Sequence, residues 1–452
     1  SAAMAIALAE GPVDGIGTIW QDKNQTTLAA LGLSLFPGSN PQAPWGYLQT
    51  NHQYLAEVHV VPGGAHQVQT IFHSPFLADF GVQDASGNTF ARVAGSPAPL
   101  QYALDAATGT YGFNAANAGA SVTIRYTAGD QQPKNQALNY AGVAYVAGAN
   151  YALTDNAELQ NHSFELQGRL RFRPADSLFD ADPGAIVSDF LTNPAYGVGF
   201  PADRLGSLTA VSDYCVASGL LLSPVIDEQR EAQEWLTDLA QLINAAFVWS
   251  AGVLKLLPYG DAAISGNGAS YAPDLTPLYD LTDDDFLYEE GDDPVLCART
   301  SPADASNQVQ VEFVNRANQY NTEVAEAKDQ AAIEAFGLRP LDPLKAHMIA
   351  DPQVARAVAQ LLLQRVLYIR NVYRFKLGWR HCLLEPMDLV SLTDAALGLD
   401  QQLVRIIEIE EDETGALSVQ AEEVPVGVAS HARYPSQGGF GFQPNYNIDP
   451  GD

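Results

Sequence analysis

The chain is poor in positive charge and in cysteine, and each shortage excludes something. Only 23 Lys and Arg stand against 53 Asp and Glu, for a formal charge of −30 over 452 residues. Binding to nucleic-acid phosphates depends on cations that release counterions, so a net-acidic surface excludes most nucleic-acid binders. The three cysteines, Cys215, Cys297 and Cys382, are far apart with no CxxC spacing. That argues against a disulfide framework or a zinc site and fits assembly in a reducing cytoplasm. Cys215 falls at helical spacing from Val211 and Leu208 and reads as a buried structural thiol.

Long apolar runs are also missing, so no segment of about 18 or more residues is suited to cross a bilayer. The opening "SAAMAIALAEGPVDG" lacks an initiator Met and a basic n-region. It reads as an internal cut point rather than a signal peptide. The end, 426–452, is a Gly/Pro/Asn stretch expected to be a linker into further sequence.

Catalytic and metal motifs are absent as well. There is no G-x-S-x-G, no P-loop and no GxGxxG after a strand. His52, His66, His73 and His162 never fall at HExxH or HxH spacing. The acid run "TDDDFLYEEGDD" at 282–293 lacks EF-hand spacing and reads as a solvated loop. Asp284 and Glu289 are a conceivable glycosidase pair, but nothing selects two carboxylates from 53. Asn24-Gln25-Thr26 and Asn161-His162-Ser163 match the glycosylation sequon without a secretory signal. No catalytic, cofactor-binding or metal residue is therefore assigned, and no cofactor is expected.

What is present is organised β-rich sequence, enough for about three domains at roughly 100–200 residues each. The fold class expected is α+β: barrel-like antiparallel domains, an α/β domain and an inserted β-sandwich-like module. Residues 1–65 with 132–178 read as one β-rich domain, beginning with a strand from Ile16 to Trp20 and a turn at Asp22-Lys23-Asn24. Residues 66–131, with turn signals every ten to fifteen residues, read as an all-β insertion, because "YLAEVHVV" and "GVAYVAG" on its flanks read as strands of the surrounding domain.

Residues 179–270 read as helices packed on a hairpin. One short helix is capped by Asp182-Pro183, a second starts near Asp227, and the hairpin turns at Ser250-Ala251-Gly252. Residues 271–425 hold the alternating strand "NQVQVEFVN", a long helix at 351–370 capped by Asp351 with Pro352 at its first position, and further antiparallel strands. In "LLEPMDLVSLTD" (383–394), Glu385, Asp388 and Asp394 read as polar boundaries of two barrel strands rather than as working groups.

Several segments together resemble one family. "LAEGPVDGIGTIWQDKN", "AGVAYVAGANYALTDNAELQNHSFEL" and "DPGAIVSDFLTNPAYGVG" are similar, in order, to segments of the tail hub of long-tailed bacteriophages and gene transfer agents. "NQVQVEFVNRANQYN", "DPQVARAVAQLLLQR" and "LLEPMDLVSLTD" follow that family's tail-protein domain, which includes the lambda tip attachment protein J family. Residues 95–126 resemble a β-module often inserted in such hubs. The family's Pro-Gly-Asp turn is Pro386-Met387-Asp388 here, so this turn lacks the freedom of glycine at φ > 0.

The resemblance implies a non-enzymatic homotrimer at the virion tail tip, assembled in the bacterial host cytoplasm. Its implied partners are tail tube and distal tail proteins, the tape measure protein and tail fibres, with DNA passing through without specific binding. On that reading Glu312, Glu408 and Glu410 are candidates for an acidic channel wall; the alternative is that they only keep the outer surface soluble. A competing function is a cell-surface polysaccharide-binding or hydrolysing protein, resting on the β-rich insertion and scattered aromatics.

Overall fold

In a computed structural model, residues 2–22, 24–47, 55–71, 76–128, 139–153, 158–170, 172, 179–288, 291–425 and 427 are described. The linker expected at 426–452 thus falls, except for Gly427, outside the described residues, as do His52, His73 and Glu289. The chain divides into two units, Ser1–Arg169 and Leu170–Asp452. The fold is β-rich α+β, with a nearly closed barrel-like sheet and a half-barrel.

In the first unit, two three-stranded sheets form around a small apolar core. One runs in the order Ala2–Glu10, Val143–Tyr151, Ser34–Phe36, and the other His162–Gly168, Val13–Gln21, Asn24–Thr26. Alternation along Ala2–Glu10 turns Met4, Ile6 and Leu8 toward Val146, Tyr151 and Phe164.

The inserted module is a seven-stranded sheet whose first strand is Leu55–Val60, paired antiparallel with Ser121–Ala128. This corrects the expected boundary at residue 66. Leu55–Val60 belongs to the insertion and not to the domain around it, because its ladder partner is the insertion's strand Ser121–Ala128 and Leu55 packs against the insertion's core. That core is aromatic, with Tyr102, Tyr111, Phe113 and Tyr126 all buried. It also encloses a carboxylate: Asp79 accepts from Tyr102 Oη at 2.6 Å and Tyr111 Oη at 3.0 Å. Burial pushes both phenols up, so they stay protonated donors.

The second unit holds two cores. In the first, the helices Pro183–Thr192, Thr209–Ser218 and Ala232–Leu242 pack with the hairpin Ala245–Ser250/Val253–Pro258. The helix Pro352–Tyr368 and a sheet ordered Asn321–Lys328, Gln308–Asn315, Leu344–Lys345 complete it. The helix starts follow from their caps: Asp182 accepts from Gly184 N at 3.0 Å and Asp351 from Gln353 N at 2.7 Å, each before a proline that has no N–H to satisfy. Cys215 is fully buried on Thr209–Ser218.

Two expectations change here. The second helix begins at Ala232 rather than near Asp227, with Glu231 as its cap residue. The expected division at 270/271 does not separate cores, since Val309, Val311 and Phe313 belong to the same core as Leu239 and Ile243. Each such fully buried side chain contributes roughly 1.5–3 kcal/mol.

The second core lies inside a six-stranded sheet ordered Asp280–Leu281, Leu389–Asp394, Leu399–Glu411, Leu417–Glu423, Asn371–Leu377, Val295–Arg299. Just after its first strand the chain returns to the fifth: Phe286 bridges to Leu377, and Leu287 N donates to Lys376 O at 2.8 Å. The sheet is thereby drawn into a barrel around Leu281, Phe375, Val390, Leu392, Val404 and Ile406.

The turn that leads into the barrel is Glu385-Pro386-Met387-Asp388. Asp388 N donates to Glu385 O at 3.1 Å and Met387 sits at φ 79. With Pro at the second position and a positive φ at the third, this is a type II turn, which favours glycine there. Methionine holds a glycine's backbone and bears the strain of its Cβ. Met387→Gly is expected to stabilise the chain by about 0.5–1 kcal/mol, the relieved left-handed strain less the added freedom of the unfolded glycine. Denaturant unfolding would check this through a raised midpoint.

Candidate functional site

The three carboxylates of 383–394 are placed by local structure. Glu385 binds Lys255 Nζ at 2.6 Å and accepts from Ser250 Oγ, tying the barrel's entry turn to the hairpin of the other core. The Lys255 hydrogen bond, then that of Ser250, holds its carboxyl below the usual range. Asp388 Oδ2 accepts from Glu385 N at 2.8 Å, and burial, the largest influence, pushes its carboxyl up. Asp394 is buried and accepts from Leu397 N at 2.8 Å, closing the turn between two barrel strands. Each acid is engaged by an ion pair or by turn backbone.

The other candidates scatter. In the acid run Asp284 is exposed, while its neighbour Asp285, half-buried, takes Thr282 N at 2.9 Å together with an ion pair from Arg380. His66 sits in a turn at φ 51. His162 bridges Gln160 O at 2.7 Å and Tyr151 Oη at 3.0 Å. Among the described residues no group of three His, Cys, Asp or Glu is placed to hold a metal ion. Glu312 pairs with His347 at 2.9 Å on the three-stranded sheet, whereas Glu408 and Glu410 lie exposed on a barrel strand. The structure does not bring the three onto one sheet face.

Sequence reasoning missed a buried polar cluster of this unit. Arg365, from the long helix, lies over the Tyr259 ring at 3.9 Å and reaches Glu422 at 3.2 Å. Arg405, from the barrel, comes within 3.6 Å of Glu422, 5.1 Å of the same ring, and donates to Tyr259 O at 3.2 Å. Burial, above all, lowers the Arg405 pKa from its ordinary value. One signal was available: Arg405 stands inside the apolar run "LVRII" at 403–407. A charge in a buried strand needs a partner.

This arrangement holds one core against another; it offers no nucleophile, and no acid and base aimed at a common point. Asp388 generates a test. A carboxyl whose folded pKa is raised contributes stability fully present below its ordinary value of 3.8, and loses it as pH rises through the raised value. Asp388→Asn keeps an oxygen acceptor for Glu385 N and removes the charge. It is expected to stabilise at pH 7 by about 0.5–1 kcal/mol, with the gain fading below pH 3.8; chemical denaturation at both pH values checks it.

No curated protein matches the sequence. Among solved structures, a chain of the virion of a native gene transfer agent particle is similar over 96% of this chain and 80% of its own, at 16% identity and a TM-score of 0.55. That is a likeness of fold. The 43 kDa tail protein of prophage MuSo2 from Shewanella oneidensis is similar over 92% of this chain and 100% of its own, at 12% identity and a TM-score of 0.33. The tail protein from Neisseria meningitidis MC58 covers 46% of this chain and 59% of its own, at 12% identity and a TM-score of 0.32. Residues 231–409 match the model of a family described as "Putative phage tail protein", a stretch that runs from the helix Ala232–Leu242 to the barrel strand Leu399–Glu411.

Proposed function

We propose that this chain is a structural component of a phage or phage-like tail, and within it the hub that closes the distal end of the tail tube. The observation that carries the reading is the family match at 231–409, which takes in parts of both cores of the second unit. The fold shared with a gene transfer agent virion chain over nearly the whole length supports it. A barrel-like sheet and a half-barrel suit such a role, because curved sheets can be set side by side around an axis to continue a tube.

On this reading the protein acts without catalysis, as a homotrimer at the tail tip, assembled in the host cytoplasm. Its neighbours are the tail tube and distal tail proteins, the tape measure protein and the fibres, and DNA crosses it without specific binding. The net charge of −30 supports that last point, since an acidic wall does not retain phosphates. Glu408 and Glu410, exposed on the barrel, remain candidates for that wall. A closed ring is expected because cyclic symmetry ends growth where a head-to-tail contact would propagate it.

Electron cryomicroscopy of the intact particle tests the proposal. Three copies around the axis at the distal end, with a net-acidic lumen, are expected. A monomer or hexamer in the assembled tail, a position along the shaft, or a lumen lined mainly by Lys and Arg would contradict it.

A further inference from the structure

A buried histidine stands at the seam that closes the barrel. His381 ends the short turn Trp379–His381 after the strand Asn371–Leu377 and is 2% exposed, its ring perpendicular to that of Tyr279 at 5.0 Å. The backbone holds it on both sides: His381 N donates to Gly378 O at 3.1 Å, and His381 O accepts from Leu384 N at 3.0 Å. Ring Nε2 accepts from Arg380 Nε at 3.3 Å, so the neutral imidazole carries its proton on Nδ1. That Nδ1 is buried without a hydrogen-bond partner among the described residues.

Asp285 joins this turn to the seam. Its Oδ2 takes Thr282 N at 2.9 Å and Thr282 Oγ1 at 3.1 Å, which fixes the loop just before Phe286 bridges to Leu377 and Leu287 N donates to Lys376 O. Its Oδ1 is ion-paired with Arg380 and stands 3.8 Å from His381 Nε2. Among the described residues, the charged and titratable groups facing the ring are thus Arg380 from its own turn, Asp285 from the seam loop and Tyr279 from the approach to the barrel's first strand.

A second proton on this ring has only Nε2 to go to, the atom that faces the Arg380 guanidinium. The imidazolium would then hold two buried donors, Nδ1–H without an acceptor and Nε2–H against a like charge, while the nearest carboxylate is already engaged by Arg380. Unsatisfied buried charge is costly, and water satisfies it only once the loop 282–288 lifts. We propose that the barrel's seam opens when His381 is protonated, a conformational switch set by the Arg380–His381–Asp285 constellation. On opening, Leu287 N parts from Lys376 O and the barrel loses its closure, while the ladders between its neighbouring strands stay paired. Burial, followed by the charge of Arg380, lowers the His381 pKa from its ordinary 6.5. The closed seam therefore has its full stability above pH 6.5 and loses it as pH falls through the lowered value.

Hydrogen exchange on the full chain at about pH 7.5 and about pH 5.5, corrected for the intrinsic pH dependence of exchange, tests this. The amides of 282–288, Leu287 among them, are expected to lose protection severalfold at the lower pH, while those of Leu417–Glu423 in the same barrel keep theirs. His381→Gln, which cannot be charged, is expected to abolish the response. Arg380→Gln, at an exposed side chain, is expected to shrink it, because Asp285 is then free to take the imidazolium. Protection at 282–288 that does not change with pH, or a loss shared equally by Leu417–Glu423, would overturn the proposal. So would a full response surviving in His381→Gln; and if that variant does not fold, an undiminished response in Arg380→Gln overturns it by itself.

Discussion

Two guanidinium groups share one buried carboxylate where the cores of the second unit meet. Arg365 comes from the long helix, while Arg405 and Glu422 come from neighbouring barrel strands, and the Tyr259 ring of the helical core receives both cations. Ions removed from water at a cost of several kcal/mol each are held only where the geometry compensates them. The helix and the barrel therefore cannot slide past each other without leaving a charge unpaired, a change that costs about 3–5 kcal/mol. Lys255 with Glu385 makes a second, more exposed tie between the same two cores. Exposed pairs of that kind contribute about 0–1 kcal/mol, so the buried cluster sets the relation and the outer pair follows it.

Residues 231–409, which match one family model, span parts of both cores. The helix Ala232–Leu242, the hairpin and the long helix build a platform, and the cluster fixes the barrel to it. On the proposed reading, the chain presents surfaces at set angles to its neighbours, which calls for rigidity between modules. The carboxylates named here serve that rigidity. Asp182 and Asp351 start helices, Asp388 and Asp394 close turns, and Asp79 satisfies two buried phenols.

Local rules carried far in the sequence. Asp-Pro starts and periodic apolar residues marked the helices Pro183–Thr192 and Pro352–Tyr368 to within two residues, because caps and stripes are short-range physics. Period-two alternation marked Gln308–Asn315 and the insertion's strands. What the sequence did not reveal was pairing at a distance. Leu55–Val60 reads equally well as a strand of either sheet, and only its partner, more than sixty residues away, decides between them. Val309, Val311 and Phe313 alternate as any strand does, so nothing local says that they join one core with helices before residue 245. The Pro386-Met387-Asp388 turn shows the converse: the missing glycine was legible, but the backbone keeps φ 79 and the methionine bears the strain. The Arg365–Glu422–Arg405 cluster was out of reach for the same reason, since its members lie on three elements separated in sequence.

The central claim is that this buried cluster makes the two cores of the second unit a single cooperative body. Native-state hydrogen exchange on the full chain measures it most directly, by comparing the slowest amides of Pro352–Tyr368 with those of Leu417–Glu423. The account predicts one shared opening free energy for both elements, and in Glu422→Ala a loss of about 3–5 kcal/mol felt by both. Separate opening energies in the unsubstituted protein, or a loss confined to the barrel strand in the variant, would contradict it.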